Sequence, residues 1–403
     1  MDPVRNPYAP GAGQRPPELA GRDRQLQQFE VTLERVAAGR PERSMVLYGL
    51  RGVGKTVLLN ALRSAAVQRA WGTGKIEARP DAGIRLHIAQ ATHAAVREVA
   101  HRHRDPDRVD GVAGVLKSFA LATRQADRQG RGWVPGAHLS DVVATKGRAD
   151  SGDLELDLVE LFTDIADLAR DLGVGIALFI DEMQDIDVAE LAALCGACHE
   201  IGQQGAPLIV VGAGLPHLPA ALAASKSYAE RLFAYVEVDR LPHEMAERAW
   251  TVPAAGEGVT FEPEALAELY RVTEGYPYFV QAYGKVTWDA ALADPIGLSD
   301  VQAAAPEAEA ELGRGFFGVR YERATPAERD YMVAMADLAV QTGDGPVATA
   351  EIARHLGRKP QSLSPARDGL IKKGLVYSAE RGQIAFTVPH FARFLRGRDL
   401  STT

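Results

Sequence analysis

The stretch "GLRGVGKT", residues 49–56, constrains the fold of this chain more than any other part of it. It meets the pattern Gly-x-x-x-x-Gly-Lys-Ser/Thr, which carries meaning only between a strand and a helix. "RSMVLYG" before it is a short apolar run ending at Gly49. "TVLLNALRSAAVQRAW" after it sets Val57, Leu58, Ala61, Leu62 and Ala65 at helical spacing. A glycine-rich turn there aims successive backbone N–H groups at an anion sitting at a helix N-terminus. Gly49, Leu50, Arg51, Gly52, Val53 and Gly54, with Lys55, Thr56 and Val57 opening the helix, are thus predicted to cradle the β- and γ-phosphates of a nucleotide. Lys55 adds charge, and the Thr56 hydroxyl suits Mg²⁺.

A second motif supports the first. In "GIALFIDEMQDID" five apolar residues, 176–180, lead into Asp181 and Glu182. A strand this apolar is covered on both faces, and its C-terminal end delivers both carboxylates to the sheet edge where ligands sit in parallel sheets. Asp181 can hold Mg²⁺ through water, and Glu182 can orient the attacking water, because phosphoryl transfer needs chiefly positioning and charge neutralisation.

Further strands are expected at "AGIRLHIAQ", taken as the second, and at "APLIVVGAG". A helix is expected from Glu18 to Val36. Another follows from the four-three-four-three steps of Leu154, Leu158, Leu161, Ile165 and Leu168. The polar segment "SDVVATKGRADSGDLELD" before that helix reads as mobile, with its acidic residues as first-turn dipole partners rather than a metal loop. "KSYAERLFAYVEVDRLP" reads as a short helix closed by Arg231 and then a strand. Arg231 is either a surface arginine bonding a helix C-terminus or a functional group.

Cys195, Cys198 and His199 match the haem-attachment spacing, but they lie inside the helical run "DVAELAALCGACHEIGQQ". Buried structural thiols are the expected reading there. The His-rich "HRHRD" at 101–105 reads as a solvated charged turn. With 403 residues the chain exceeds one ordinary core, so two or three domains are expected. The Pro- and Gly-rich start is expected to be a flexible arm and lacks the apolar core of a signal peptide. "GVGIALFI" is too short to span a bilayer, so a cytoplasmic location without membrane contact is expected.

These residues resemble AAA-type ATPases, in particular the origin-recognition-like branch and the neighbouring STAND signalling ATPases. The resemblance covers residues 18–298 and rests on "PELAGRDRQL", "GLRGVGKT", "LFIDEMQD", the arginine of "ERLF", and "GYPYF". It implies an α/β nucleotide domain followed by a small helical lid, with ATP as ligand. By resemblance Leu19 and Arg22 border the adenine, and Arg231 falls where these families place the arginine finger that reaches a neighbouring subunit. That implies a homo-oligomer. Gly275-x-Pro277 resembles STAND proteins, whose lid proline packs beside the nucleotide, although Gly-Tyr-Pro serves equally well as a turn before a helix. The chain departs from the AAA pattern twice. Ala213 and Gly214 stand where many members keep a polar sensor, and Tyr278 where a sensing arginine is frequent.

At the C-terminal end, Thr325, Pro326 and Glu328 form a capping box with Pro at the first helical position. "TAEIARHLG", the turn "RKP" and "QSLSPARDGLIKKG" then give two short helices, with Pro365 expected in the first turn of the second. "LVYS-AERG-QIAFTVP" reads as a hairpin. This order resembles a winged-helix domain. The net charge is −8, but from Arg320 onward there are 13 basic against 9 acidic residues, and 32 against 44 before it. Arg354, Arg358, Lys359, Arg367, Lys372 and Lys373 face one Asp368, which predicts contacts with double-stranded DNA. Arg358 and Lys359 would meet phosphates, and Lys372 is a further DNA-binding candidate. Arg367 would reach base edges, and Arg381 at the wing tip the backbone or minor groove. The other reading has this unit packing on the ATPase domain as a regulatory arm.

The expectation is therefore an α/β parallel-sheet P-loop NTPase: arm 1–17, ATPase domain 18–241, helical lid 242–319 and winged helix 320–403. Lys55, Glu182 and Arg231 would serve hydrolysis of ATP to ADP with Mg²⁺, coupled to oligomer assembly and DNA binding. A signalling switch with a protein partner is the alternative.

Overall fold

The computed structural model describes residues 1–80, 82–103, 106–122, 143–339 and 345–399. Five parallel strands form the central sheet: β1 (Ser44–Tyr48), β2 (Gly72–Glu77), β3 (Ile176–Asp181), β4 (Leu208–Gly214) and β5 (Phe233–Glu237), in the order β2-β3-β4-β1-β5. Period-two alternation sorts the strand residues between two cores. Ala177 and Phe179 of β3 pack with helices α1 (Asp23–Ala37) and α2 (Lys55–Gln68). Ile176, Leu178 and Ile180 face α3 (Ile84–His103), α4 (Pro106–Ala122), α5 (Leu154–Asp171) and α6 (Val188–Gln203). Both faces of the sheet are thus covered, as the unbroken apolar run of β3 requires.

The second strand is not where the sequence pattern put it. "AGIRLHIAQ" lies in α3, and β2 is the glycine-containing "GTGKIE". The pattern misleads because Gly72 and Gly74 are there to admit α3. A Cβ on Gly74 would stand 2.1 Å from the Ala91 carbonyl oxygen, so the strand gives up apolar side chains for close helix approach. The helix expected from Glu18 starts at Asp23, since Gly21 at φ +70° breaks it. His101 and His103 close α3 instead of forming a turn; Arg104 and Asp105 lie outside the described residues.

The segment before α5 is anchored rather than mobile over 143–157; residues 140–142 lie outside the described residues. Buried Asp157 accepts from the Ser151 backbone and hydroxyl at 2.8 and 2.7 Å and pairs with Arg85 at 2.7 Å. Asp153 caps α5 by accepting from the Glu155 and Leu156 N–H groups. Satisfying a buried carboxylate costs the loop its freedom. Cys195 and Cys198 are free and buried in α6, and burial pushes the Cys195 thiol up to about 11 and Cys198 further.

After α7 (Leu218–Ser225) and α8 (Ala229–Leu232), four helices build a second layer: α9 (His243–Gly256), α10 (Pro263–Thr273), α11 (Pro277–Ala290) and α12 (Leu298–Glu311). A π-helical stretch, Leu312–Gly318, and α13 (Val319–Glu322) lead into α14 (Pro326–Leu338), α15 (Thr349–His355), α16 (Pro360–Lys372) and α17 (Phe391–Asp399). Three short antiparallel strands accompany them, β6 (Val347–Ala348), β7 (Val376–Ser378) and β8 (Gln383–Phe386), in the order β6-β8-β7. Thr325 and Glu328 form the capping box of α14. Pro365 sits in the second turn of α16, not the first, because Pro360 takes the first helical position. One continuous core joins Trp250 and Trp288 of the four-helix layer to Met332, Leu370 and Phe391 of the C-terminal unit.

The N-terminal arm, expected to be flexible, is packed on that layer. Tyr8 is buried and donates to the Trp250 carbonyl at 2.7 Å, Trp288 Nε1 donates to the Asp2 carbonyl at 3.0 Å, and Asn6 reaches Lys285 and Asp289. A buried aromatic ring and proline-limited chain entropy offset the cost of ordering it. Among the described residues no helix is long and apolar enough to cross a membrane.

Candidate functional site

The turn 49–54 leaves β1 at the C-terminal edge of the sheet and enters α2 through Gly54, whose φ of +90° a residue with a Cβ adopts only under strain. Above it lies a cavity of about 420 Å³, closed by the turn, by Pro277 and Tyr278 of α11, by residues 9–14 of the arm, and by Phe316 and Arg320. Leu19, Arg22, Gly52–Val57, Glu182 and Pro277 all line it. Gly49 and Leu50 lie beneath, accepting from Lys55.

The charged side chains among them are held by identifiable contacts. Lys55 is buried, and its Nζ donates to the carbonyls of Gly49 at 2.9 Å and Leu50 at 2.8 Å. Burial pulls its ammonium down to about 8, against the attraction of Glu182 and Asp181. Arg22 is buried too, but its Nη2 is engaged by the Val53 carbonyl at 3.1 Å and the Asp239 carbonyl at 2.6 Å. Its guanidinium therefore clamps the turn to the end of β5, a more structural task than bordering a base.

Asp181 ends β3 with its Oδ1 accepting the Glu182 N–H at 3.0 Å and Lys75 Nζ 3.9 Å from Oδ2. Thr56 lines the cavity at the start of α2. One hydroxyl and one carboxylate, completed by phosphate oxygens and water, is the donor set Mg²⁺ takes beside a nucleotide. The residues present fit that ion.

Glu182 stands at φ +50°. Its carboxylate is 3.5 Å from Arg51 Nη1 and accepts from Gln184 Nε2 at 2.6 Å. Gln184 was not singled out in the sequence, yet its Oε1 also accepts from the Leu215 N–H at 3.1 Å, just past β4. A polar group therefore does tie Glu182 to the end of β4, but it arrives from the β3 side. Only its position two residues beyond Glu182 hinted at this.

Arg51 has a second engagement. Its N–H donates to the Thr387 carbonyl at 2.8 Å, and its Nη2 lies against Gly374. The phosphate loop and the C-terminal unit thus share this residue. His217, after β4, stacks on Tyr377 of β7 with centroids 6.0 Å apart.

Arg231 is not brought into this cavity. Phe233 pairs with Ser44, so Arg231 lies at the strand-start edge of the sheet, opposite the phosphate loop, roughly 13 Å away along β1. There it lines a separate concavity of about 580 Å³ with Arg40, Arg43, His199 and Tyr228. Arg358, Lys359, Lys372 and Arg381 are exposed on the C-terminal unit. Arg367, half-buried, pairs with its neighbour Asp368 at 2.9 Å.

The match with known families follows this geometry. Residues 18–211 match the family described as the AAA ATPase domain, and residues 314–395 match a domain of unknown function. The α/β part of the chain is thus similar to AAA ATPase domains. The second match begins inside the π-helical stretch, so it takes in Phe316 and Arg320 at the cavity. No curated protein matches the chain. Its fold is similar to that of the Walker-type ATPase of Pyrococcus abyssi, at 15% identity and TM-score 0.59 over 95% of this chain and 97% of that one. The RuvB Holliday junction branch migration motor of Thermotoga maritima aligns at 17% identity, over 93% of this chain and 96% of that one, with TM-score 0.44. The Orc1 protein of Aeropyrum pernix in complex with DNA aligns at 16% identity, over 96% and 95%, also with TM-score 0.44. Neither of these adds to what the first likeness shows.

Proposed function

We propose that the chain binds and hydrolyses ATP and works as a nucleotide-controlled switch, its C-terminal unit acting as a winged helix docked on the phosphate loop. The observation that carries this reading is Arg51, which bonds Thr387 of the C-terminal unit while its guanidinium stands beside Glu182. A triphosphate entering the cradle would compete for that guanidinium, so nucleotide state and docking become linked through one residue.

In this reading Lys55 and the backbone of residues 52–57 hold the phosphates, and Thr56 and Asp181 would hold Mg²⁺, which supplies charge neutralisation. Glu182, fixed by Gln184, positions the attacking water. Leu19 and Pro277 flank the base. Arg231, exposed at the far edge, would serve a neighbouring copy in a homo-oligomer and not its own cavity. Arg358, Lys359, Lys372 and Arg381 remain exposed with the unit docked. That exposure favours double-stranded DNA as the partner of the switch, with a protein partner as the second reading.

The deciding experiment is ATP binding and turnover by the purified protein, with and without duplex DNA at fixed moderate salt. Tight binding that Lys55→Ala removes supports the site. DNA stimulation supports the nucleic-acid partner, and a slow DNA-indifferent rate with retained nucleotide moves the reading to a protein partner. Absence of ATP binding would overturn the proposal.

A further inference from the structure

Arg320 lines the cavity beside Phe316. It lies two residues beyond the π-helical stretch, half-buried, and its Nη1 donates to the Phe316 carbonyl while its guanidinium sits 4.3 Å over the Phe316 ring. Phe316 in turn stacks on Tyr278 with centroids 4.5 Å apart, and the Tyr278 N–H donates to the Gly52 carbonyl at 3.2 Å. A chain of contacts therefore runs from the phosphate turn to this arginine. Among the described residues no carboxylate forms an ion pair with Arg320. Burial lowers its pKa, the nearby Arg51 lowers it further, and Glu182 of the same cavity pulls the other way without pairing with it.

A guanidinium stays protonated under these conditions, so partial burial without a counter-ion is unfavourable until an anion arrives. Lys55, Thr56 and Glu182 line the same cavity. An arginine stacked on a fixed aromatic ring presents its remaining N–H groups in a rigid fork, the geometry that suits phosphate oxygens.

We infer that Arg320 is a phosphate ligand: the C-terminal unit inserts it into the cavity to bind the terminal phosphates of a nucleoside triphosphate. This rests on the ATP site proposed above. It places the phosphate-reading cation on the segment joining the lid layer to the C-terminal unit, so loss of the γ-phosphate loosens that segment directly. Tyr278, at the lid position where AAA members often keep an arginine, becomes the ring that supports Phe316.

Titration calorimetry with ATP, ADP and adenosine on Arg320→Met and Arg320→Lys tests the inference, with melting of the nucleotide-free proteins alongside. Arg320→Met should weaken ATP roughly tenfold or more, the scale of one charge-assisted contact. It should weaken ADP less and leave adenosine unchanged, and Arg320→Lys should recover part of the loss. Unchanged ATP affinity in Arg320→Met overturns the inference. So does an equal loss for all three ligands with a lowered melting point, since that assigns Arg320 to holding Phe316. Wild-type protein that binds no ATP, or whose binding survives Lys55→Ala, removes the site itself and this role with it.

Discussion

The main chain of Arg51 donates to the Thr387 carbonyl at 2.8 Å, joining the second variable position of the phosphate turn to the strand end that follows β8. The Arg51 side chain continues past Gly374, where an added Cβ would stand 2.8 Å from Nη2. The candidate nucleotide site and the C-terminal unit are thus in contact through Arg51, with Glu182 on its other side.

That contact is testable at Gly374, which has φ +64°. Gly374→Ala should cost about 1 kcal/mol through backbone strain alone, and it should loosen docking as well. Limited proteolysis would show faster cleavage between the lid layer and the C-terminal unit. Wild-type cleavage with a lowered melting point would mean strain without undocking.

Lys55→Ala should weaken ATP about a hundredfold, since a buried charged donor to phosphate is lost. A pH signature goes with it. The nucleotide-free ammonium titrates near 8, and bound triphosphate raises it again. Binding should therefore take up little proton at pH 7 and more near pH 8.5, with affinity falling as pH rises through about 8. For stability the sign is reversed: the folded pKa lies below the unfolded 10.5, so Lys55 lowers stability below about 8 and that penalty fades as pH climbs toward 10.5. Calorimetry in buffers of different ionisation enthalpy reads the proton count, and pH-independent uptake would contradict this.

Glu182→Gln should keep ATP binding and stop turnover. Gln184→Leu should slow turnover to a smaller degree by freeing the Glu182 carboxylate, with affinity within a few-fold. Undiminished hydrolysis in Glu182→Gln would remove it as the water-positioning group.

Arg231→Ala should slow hydrolysis only in assembled protein. Mixing it with Lys55→Ala subunits separates the roles, because a trans-acting Arg231 lets the Lys55→Ala copy serve as the arginine donor. Equal loss in demonstrably monomeric protein would assign Arg231 a local role.

Replacing Arg358, Lys359 and Lys372 together should weaken duplex binding and flatten its salt dependence by a log–log slope of about 3. A slope equal to wild type would take those residues out of the DNA contact.

Much of the site was legible because its physics is local. A strand, a glycine turn and a helix N-terminus within a dozen residues make the proposed phosphate cradle, and an apolar strand ending in Asp181 and Glu182 needs no distant partner to be recognised. The steps of α5 and the capping box at Thr325 were equally readable, since helical periodicity and caps depend on neighbours a few positions away.

Other elements depend on surfaces that meet only in the folded chain. "GTGKIE" is a strand because α3 lies against its glycines, and the arm is ordered because Tyr8 finds Trp250. Gln184 reaches Leu215 across two strands, and Arg320 enters the cavity from 264 residues beyond Thr56. The sequence alone determined that a phosphate loop and a carboxylate strand end are present, because each is set by contacts within one short segment. Which cations complete the cavity, and that the C-terminal unit rests on Arg51, was decided by tertiary packing, because those partners are brought together only when distant apolar faces are buried against each other.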